Sequence, residues 1–247
     1  MLSKSQIKQI VSLQQKKYRN KLGLFVVEGT KSVEEFLKSN YELDDLFYTD
    51  EDFLAITQNN KVADDNKHFI TITELKKISA LKNPNNVLAV FKIPQQSSDV
   101  DSNLTLVLDA VQDPGNLGTI IRLCDWFGIK KIVCSLDTVA CYNPKVVQAT
   151  MGSLTRVAIS YTDLNDYLSN TKLPIFASIM DGDNIYKTKL PQKAIIIMGN
   201  EGNGISKELI KIATNKISIP HFGDIQKTES LNVATATAVI LSEFCRG

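Results

Sequence analysis

The stretch AIIIMGNEGNGISKELIKIATNKISIPHFGDIQKTESLNVATATA, residues 194–238 of a 247-residue chain, decides how everything else is read. It opens on Ile195, Ile196, Ile197 and Met198, an apolar, β-branched run of the length expected for a strand buried on both faces. The run stops at Gly199. Gly202 and Gly204 follow around Glu201, so the backbone can turn sharply and offer its own N–H and C=O groups to a ligand. A second short strand, residues 216–219, ends at Pro220, and after a polar loop Ser230, Leu231 and Asn232 lead into small residues. Two buried strands that each end in an irregular loop with isolated polar residues predict a small-molecule site at the strand ends.

Outward from this stretch the same alternation continues. Residues 104–108 form another buried-type strand, and the loop 109–119 leads into a helix over 120–127 closed by Gly128. A strand at 131–135 is followed by a helix that opens on Asn143 and Pro144 and runs to Gly152. Strands at 156–160 and 174–178 flank a short helix at 164–168, and a helix over 231–244 closes the chain. Upstream, a first helix is expected over 3–18. Strands follow at 24–27, 46–48, 68–70 and 87–91, and helices at 30–37, 53–58 and 73–80, with Thr30 and Thr73 as caps. The segment 94–103 is polar and aperiodic. Together these features predict an α/β chain in two parts: a smaller α/β domain over 1–93 with a largely parallel sheet, a linker at 94–103, and a second α/β domain over 104–247.

Composition narrows the function. Hydrophobic residues make up 43% and charged residues 22% of the chain, an ordinary globular balance. No apolar run reaches the roughly 20 residues needed to span a bilayer, and the N-terminal residues lack the apolar core of a signal peptide. The expected location is cytoplasmic, with no membrane partner. Cys124, Cys134, Cys141 and Cys245 form no C-x-x-C pair, and His68 and His221 are the only histidines. This argues against a metal site and for buried reduced thiols. The net charge is +1, but residues 1–31 carry seven basic side chains against Glu28 alone, whereas residues 42–52 are acidic. Such a segment can face RNA through Lys17, Arg19 and Lys21, and a solvated helix accounts for these side chains equally well.

Three common ligand motifs are absent: no G-x-x-x-x-G-K-[ST] phosphate loop, no G-x-G-x-x-G after a strand and no G-x-S-x-G elbow. What is present is an ordered set of three strand-end loops. They are Asn116-Leu117-Gly118-Thr119-Ile120-Ile121-Arg122, then Met198-Gly199-Asn200-Glu201-Gly202-Asn203-Gly204-Ile205, then Ile217-Ser218-Ile219-Pro220 with Ser230-Leu231-Asn232-Val233-Ala234. These closely resemble the three motifs of the SpoU (TrmH) family of RNA 2′-O-ribose methyltransferases, in the SPOUT superfamily. The resemblance covers the second domain from about residue 104. It extends to the front of the chain, where Lys17-Tyr18-Arg19 and Phe25-Val26-Val27-Glu28-Gly29 look like the start of the substrate-binding domain carried by the ribosomal-RNA branch. The chain departs from the family pattern in a few extra residues between Pro220 and Ser230, and in Ala140, where many relatives carry an acidic residue.

The resemblance implies a C-terminal domain tied in a trefoil knot, a homodimer, and S-adenosyl-L-methionine held around Met198, Gly199, Ile219 and Leu231. It implies methyl transfer to a ribose 2′-hydroxyl of RNA, ribosomal RNA before transfer RNA. A member that binds RNA without catalysis is the alternative, against which all five polar motif positions speak. Arg122 is implied to activate the hydroxyl. A normal arginine is too basic to be a general base, which favours holding phosphate and stabilising oxyanion charge and leaves the proton acceptor open. Asn116 is implied to position the arginine or the ribose, Glu201 to orient Arg122 or the substrate, and Ser230 and Asn232 to complete the pocket. Asn116, Ser230 and Asn232 also suit helix starts.

Overall fold

The computed structural model describes residues 2–53, 64–94, 100, 102–222 and 230–246. The chain divides into two compact units, residues 1–96 with 140–155, and residues 97–139 with 156–247.

The first unit begins with two helices where one is expected, α1 (Lys4–Ser12) and α2 (Lys16–Leu22). The break is fixed by Arg19, whose Nη1 donates to the carbonyls of Leu13 and Gln14, both at 2.9 Å, and so satisfies groups that α1 leaves unpaired at its end. Then come β1 (Leu24–Glu28), α3 (Thr30–Leu37), β2 (Leu43–Tyr48), β3 (Lys67–Phe69), α4 (Ile72–Ile78) and β4 (Val87–Lys92). The expected helix at 53–58 falls outside the described residues apart from Phe53. Caps shift by one or two residues: Gly29, at φ +92°, precedes α3, and Thr71 caps α4 in a reciprocal pair with Glu74.

The sheet of this unit corrects the expectation of largely parallel strands. Its order is β1-β4-β2-β3; β4 runs antiparallel to both β1 and β2, and the β2–β3 pairing is parallel. Five of the six β4 residues are buried, and a buried strand reads as an apolar run whichever way it points. Ile10 and Leu13 tie the first helix to Phe47, Leu75 and Leu88 in the core of this unit.

The second unit contains β5 (Leu104–Leu108), α5 (Pro114–Trp126) and β6 (Lys131–Cys134). The chain then contributes α6 (Pro144–Thr150) to the first unit. There the Tyr142 ring lies 4.6 Å from that of Phe25 and its hydroxyl is 3.2 Å from that of Tyr41. Burial pushes the Tyr41 hydroxyl up to about 12. The second unit resumes with β7 (Ala158–Tyr161), α7 (Leu164–Ser169), β8 (Ile175–Asn184), β9 (Ala194–Met198), α8 (Lys207–Ile212), β10 (Asn215–Ser218) and α9 (Val233–Cys245). Its sheet has the order β10-β8-β9-β5-β6-β7 with every pairing parallel. The α/β class expected from the alternation holds.

Two features of this sheet position the site. From β5 the chain builds outward through β6 and β7, then crosses to build β8 and β9 on the other side, so the direction of winding reverses between β5 and β9. In open parallel sheets the crevice at such a reversal, outside the carboxyl ends of the strands, is where ligands bind. Second, β8 leaves and rejoins β10: Ala177 pairs with Lys216, but Ile217 pairs with Asp183. The five residues between, 178–182, bow out of the ladder.

Three cysteines are buried, as expected of inert thiols, but Cys245 is exposed at the end of α9. Among the described residues no helix is long and apolar enough to cross a membrane, and no group of three or more His, Cys, Asp or Glu is placed to hold a metal.

Candidate active site

The loops that follow β5 and β9 are stitched together by backbone and side-chain bonds. The Asp109 N–H donates to the Met198 carbonyl at 2.9 Å, and the Ser206 N–H donates to Asp109 Oδ2 at 2.8 Å. Asn200 is the hub of the glycine-rich loop. Its Nδ2 donates to the Ala110 carbonyl at 2.8 Å, and its Oδ1 accepts from Gly202 N at 2.8 Å and Asn203 N at 3.2 Å. Ala110 itself sits at φ +53°, a conformation that costs a residue with a Cβ on the order of 1–2 kcal/mol. Its N–H is held by Ser135 Oγ at 2.9 Å, so both of its peptide groups are fixed by partners in neighbouring loops. Sequence reasoning missed Asn200, Asp109 and Ala110. The only available signal was that each directly follows or closely trails a buried strand.

Gly199 is required by sterics. A Cβ added there would lie 2.3 Å from the Gly204 carbonyl carbon and 2.4 Å from the Ile205 nitrogen. The loop therefore folds back on its own start, where Asn200 and Gly204 exchange backbone bonds of 3.0 and 2.9 Å. Beside it opens a cavity of about 450 Å³, within the range of small-molecule and cofactor sites. Met198, Gly199, Ile219 and Leu231, singled out from the sequence, all line it, as do Glu201 and Ser230. Ile179, Ile205 and Ile210 add apolar wall, and His221 and the glycine loop add polar atoms. Ser178, Ile179 and Met180 reach the cavity because they lie in the segment bowed out of β8. The sequence, read as a strand ending at 178, gave no sign of it.

Beside the cavity the glycine-rich loop, the first turn of α5 and the start of α9 are joined by one chain of hydrogen bonds. Asn116 Nδ2 donates to Glu201 Oε1, and Asn232 Nδ2 donates to Asn116 Oδ1 at 2.9 Å. The Asn232 Oδ1 accepts from Ala234 N at 3.0 Å and Thr235 N at 3.3 Å, so Asn232 caps α9 and joins the network at once. Asn116 is not a cap. Helix α5 begins six residues earlier than expected, at Pro114, with Asp113 as its cap accepting from Asn116 N at 2.8 Å. This frees the Asn116 side chain to bridge Glu201 and Asn232, and Glu201 holds Asn116 rather than Arg122.

Arg122 stands apart from this network. It is exposed and has no hydrogen-bond or ion-pair partner among the described residues. Six residues along α5 from Asn116, it sits about 9 Å further along the axis and about 120° around it. Of the basic residues read as RNA contacts, Lys17 and Lys21 are exposed but Arg19 is not. Only 3% of Arg19 is accessible, and burial lowers its pKa from the usual arginine value. Its guanidinium is spent on the turn between α1 and α2, which removes it from the RNA-binding set. Of the longer loop after Pro220, residues 223–229 lie outside the described residues.

Comparison with known proteins gives the site its context. Residues 103–242 match the family model for the SpoU rRNA Methylase family, and residues 4–89 match a model for an MRM3-like substrate binding domain. The chain is 29% identical, over 95% of its length and 94% of the relative's, to the 23S rRNA (guanosine(2553)-2′-O)-methyltransferase RlmP of Bacillus subtilis. A solved structure of a TrmH-family protein from Porphyromonas gingivalis superposes with a TM-score of 0.89 at 38% identity, covering 100% of this chain and 99% of that one. An AdoMet-bound rRNA methyltransferase from Sinorhizobium meliloti superposes with a TM-score of 0.86 at 28% identity, covering 100% and 97%.

Proposed function

The chain belongs to the SpoU rRNA Methylase family, and on that premise we propose that it transfers a methyl group from S-adenosyl-L-methionine to a ribose 2′-hydroxyl of ribosomal RNA in the cytoplasm. The observation that carries this reading is the line of hydrogen bonds that joins Glu201, which lines the cavity at the ends of β8, β9 and β10, to Asn116 in the first turn of α5 and to Asn232 at the cap of α9. The cavity suits the cofactor. Its isoleucine walls match an adenine ring, and its glycine loop folds back too closely to admit a Cβ at Gly199. Bound there, the cofactor supplies an electrophilic methyl group on a sulfonium.

The residues of the chain then do the rest. Met198, Gly199, Ile219 and Leu231 hold the cofactor, and the amide chain of Asn116 and Asn232, anchored by Glu201, fixes the ribose. Ser230 completes the polar rim. The Arg122 guanidinium holds a phosphate of the RNA and stabilises the charge that grows on the 2′-oxygen as the O–H proton passes to solvent and S-adenosylhomocysteine leaves. Because Arg122 lies away from the amide chain on its own subunit, the site is completed in a homodimer. Trp126, 84% exposed one turn beyond Arg122 on the same side of α5, supports a second copy covering that face. The first 93 residues hold RNA, and the methyltransferase domain over 104–247, from which residues 140–155 pack with the first unit, carries the trefoil knot.

Calorimetric titration with S-adenosyl-L-methionine and S-adenosylhomocysteine, followed by labelled methyl transfer to unmodified ribosomal RNA, tests the reading. Saturable binding of both, with label at a 2′-oxygen that blocks alkaline cleavage of the adjoining phosphodiester, is expected. Absence of binding and of label with RNA present would overturn it. Variants of Asn232 separate its two parts. Asn232→Asp keeps the cap but loses the Nδ2 donor to Asn116. It should unfold at the wild-type temperature while methyl transfer falls about tenfold, the size of one hydrogen bond between neutral groups. Asn232→Ala should in addition lose about 1 kcal/mol of stability with the cap, read by thermal denaturation.

A further inference from the structure

We propose that the groove between α1 and α2 receives a single-stranded segment of the RNA substrate, with Lys4, Lys8 and Lys21 on its phosphates and Tyr18 stacked on an unpaired base. This rests on the RNA-methyltransferase reading above and names where the first unit would grip its substrate.

The groove follows from two helical stripes. Lys4, Lys8 and Val11, at positions i, i+4 and i+7, line the outer face of α1, and Tyr18, Lys21 and Leu22, at i, i+3 and i+4, line the facing side of α2. Between them lies a cavity of about 690 Å³. The opposite faces are committed: Ile10 and Leu13 are buried in the core, and Arg19 is locked to the Leu13 and Gln14 carbonyls. That buried arginine fixes how α2 leaves α1, so the groove is preformed and needs no ordering when a ligand arrives.

Charge and exposure together identify the occupant. Among the described residues no acidic side chain lines the groove, and its three lysines have no ion-pair partner there. Glu74, packed at the start of α1, is spent elsewhere: it accepts from Leu2 N at 2.9 Å and from Thr71 N at 3.0 Å, and these backbone bonds pull its carboxyl down to about 2. An unopposed cationic lining attracts a polyanion. The floor, however, is apolar and open to water: Tyr18, Val11 and Leu22 are 37%, 38% and 40% exposed. Phosphate contacts alone leave such a surface uncovered. A flexible strand with bases turned inward covers it, since each base has a π-face that stacks on an aromatic ring whatever its identity. Paired RNA keeps its bases stacked on each other and cannot do this.

The test measures binding of the full-length protein to a fluorescent single-stranded oligoribonucleotide, and to the same sequence as a duplex, across a salt series. S-adenosyl-L-methionine titrations are run on every sample. For Lys4→Ala/Lys8→Ala/Lys21→Ala, the slope of log affinity against log salt should fall by about 2, from about 0.7 per lost phosphate contact on a single strand. Tyr18→Ala should lose about tenfold in affinity for the single strand, while Tyr18→Phe, which keeps the ring, should match wild type. Wild-type affinity and slope in the triple variant would overturn the proposal. If that variant instead loses binding only to a polyglutamate peptide, the groove belongs to an acidic protein segment. Cofactor binding retained throughout places any failure in the groove. Cofactor binding absent from the wild-type protein would place it in the methyltransferase reading itself.

Discussion

Arg122→Ala is expected to lower methyl transfer by about 10²–10³-fold, the cost of removing one preorganised donor aimed at a developing oxyanion. Affinity for S-adenosyl-L-methionine should stay within about twofold of wild type, because Arg122 does not line the cavity and makes no hydrogen bond among the described residues. Stability should be unchanged, since an exposed helical arginine without partners contributes little to folding. Arg122→Lys keeps the charge but not the planar fork of donors, and should recover only part of the rate. Single-turnover methyl transfer at saturating RNA, with calorimetry on the same preparations, reads all of these. An alanine variant with the wild-type rate would remove Arg122 from the mechanism and move the search for the activating group to the cavity rim.

The second large effect is on cofactor binding. Gly199→Val should abolish measurable binding of S-adenosyl-L-methionine and its demethylated product, a loss of more than about 100-fold. Its Cβ would occupy space 2.3–2.5 Å from the backbone of Gly204 and Ile205. Neither of these is a flexible side-chain end, so the loop that closes on Asn200 must open. Gly202→Ala is the control. It lies in the same loop, but its added Cβ meets only Asn200 Oδ1 at 3.5 Å, an ordinary contact, so binding should survive. Since the bulky variant can also disturb β9, thermal denaturation is run beside calorimetry. A Gly199→Val protein that melts like wild type and still binds the cofactor would show that the loop does not form the site.

How far the sequence carried these conclusions depends on whether a feature was local. The β-branched run 195–198 read correctly as a strand because burial on both faces leaves a continuous apolar signature. Asn143 with Pro144, and Asn232, read correctly as helix starts because capping is settled within three or four residues. The start of α5 was misplaced at Ile120 because the glycines at 115 and 118 look like loop. Asp113 and Pro114 nonetheless pre-set a helix in which Gly118 is buried. Arg19 was misread for a related reason. Charge in a sequence carries no direction, and a guanidinium three residues past a helix break can turn inward to serve carbonyls as easily as outward toward RNA.

The sequence by itself determined the α/β class, the order of the three loops and the identity of the groups they carry. Strand periodicity, glycine placement and caps are short-range properties written in consecutive residues. Only the tertiary structure decided that β4 inserts antiparallel between β1 and β2, and that β8 bows out to line the cavity. It alone brought Asn116, Glu201 and Asn232, 85 and 116 residues from Asn116 in the chain, into one line of hydrogen bonds. Those outcomes depend on which buried strand finds which partner. Side chains of nearly the same apolar character satisfy the core in many pairings, and the choice among them is made only when the whole sheet closes.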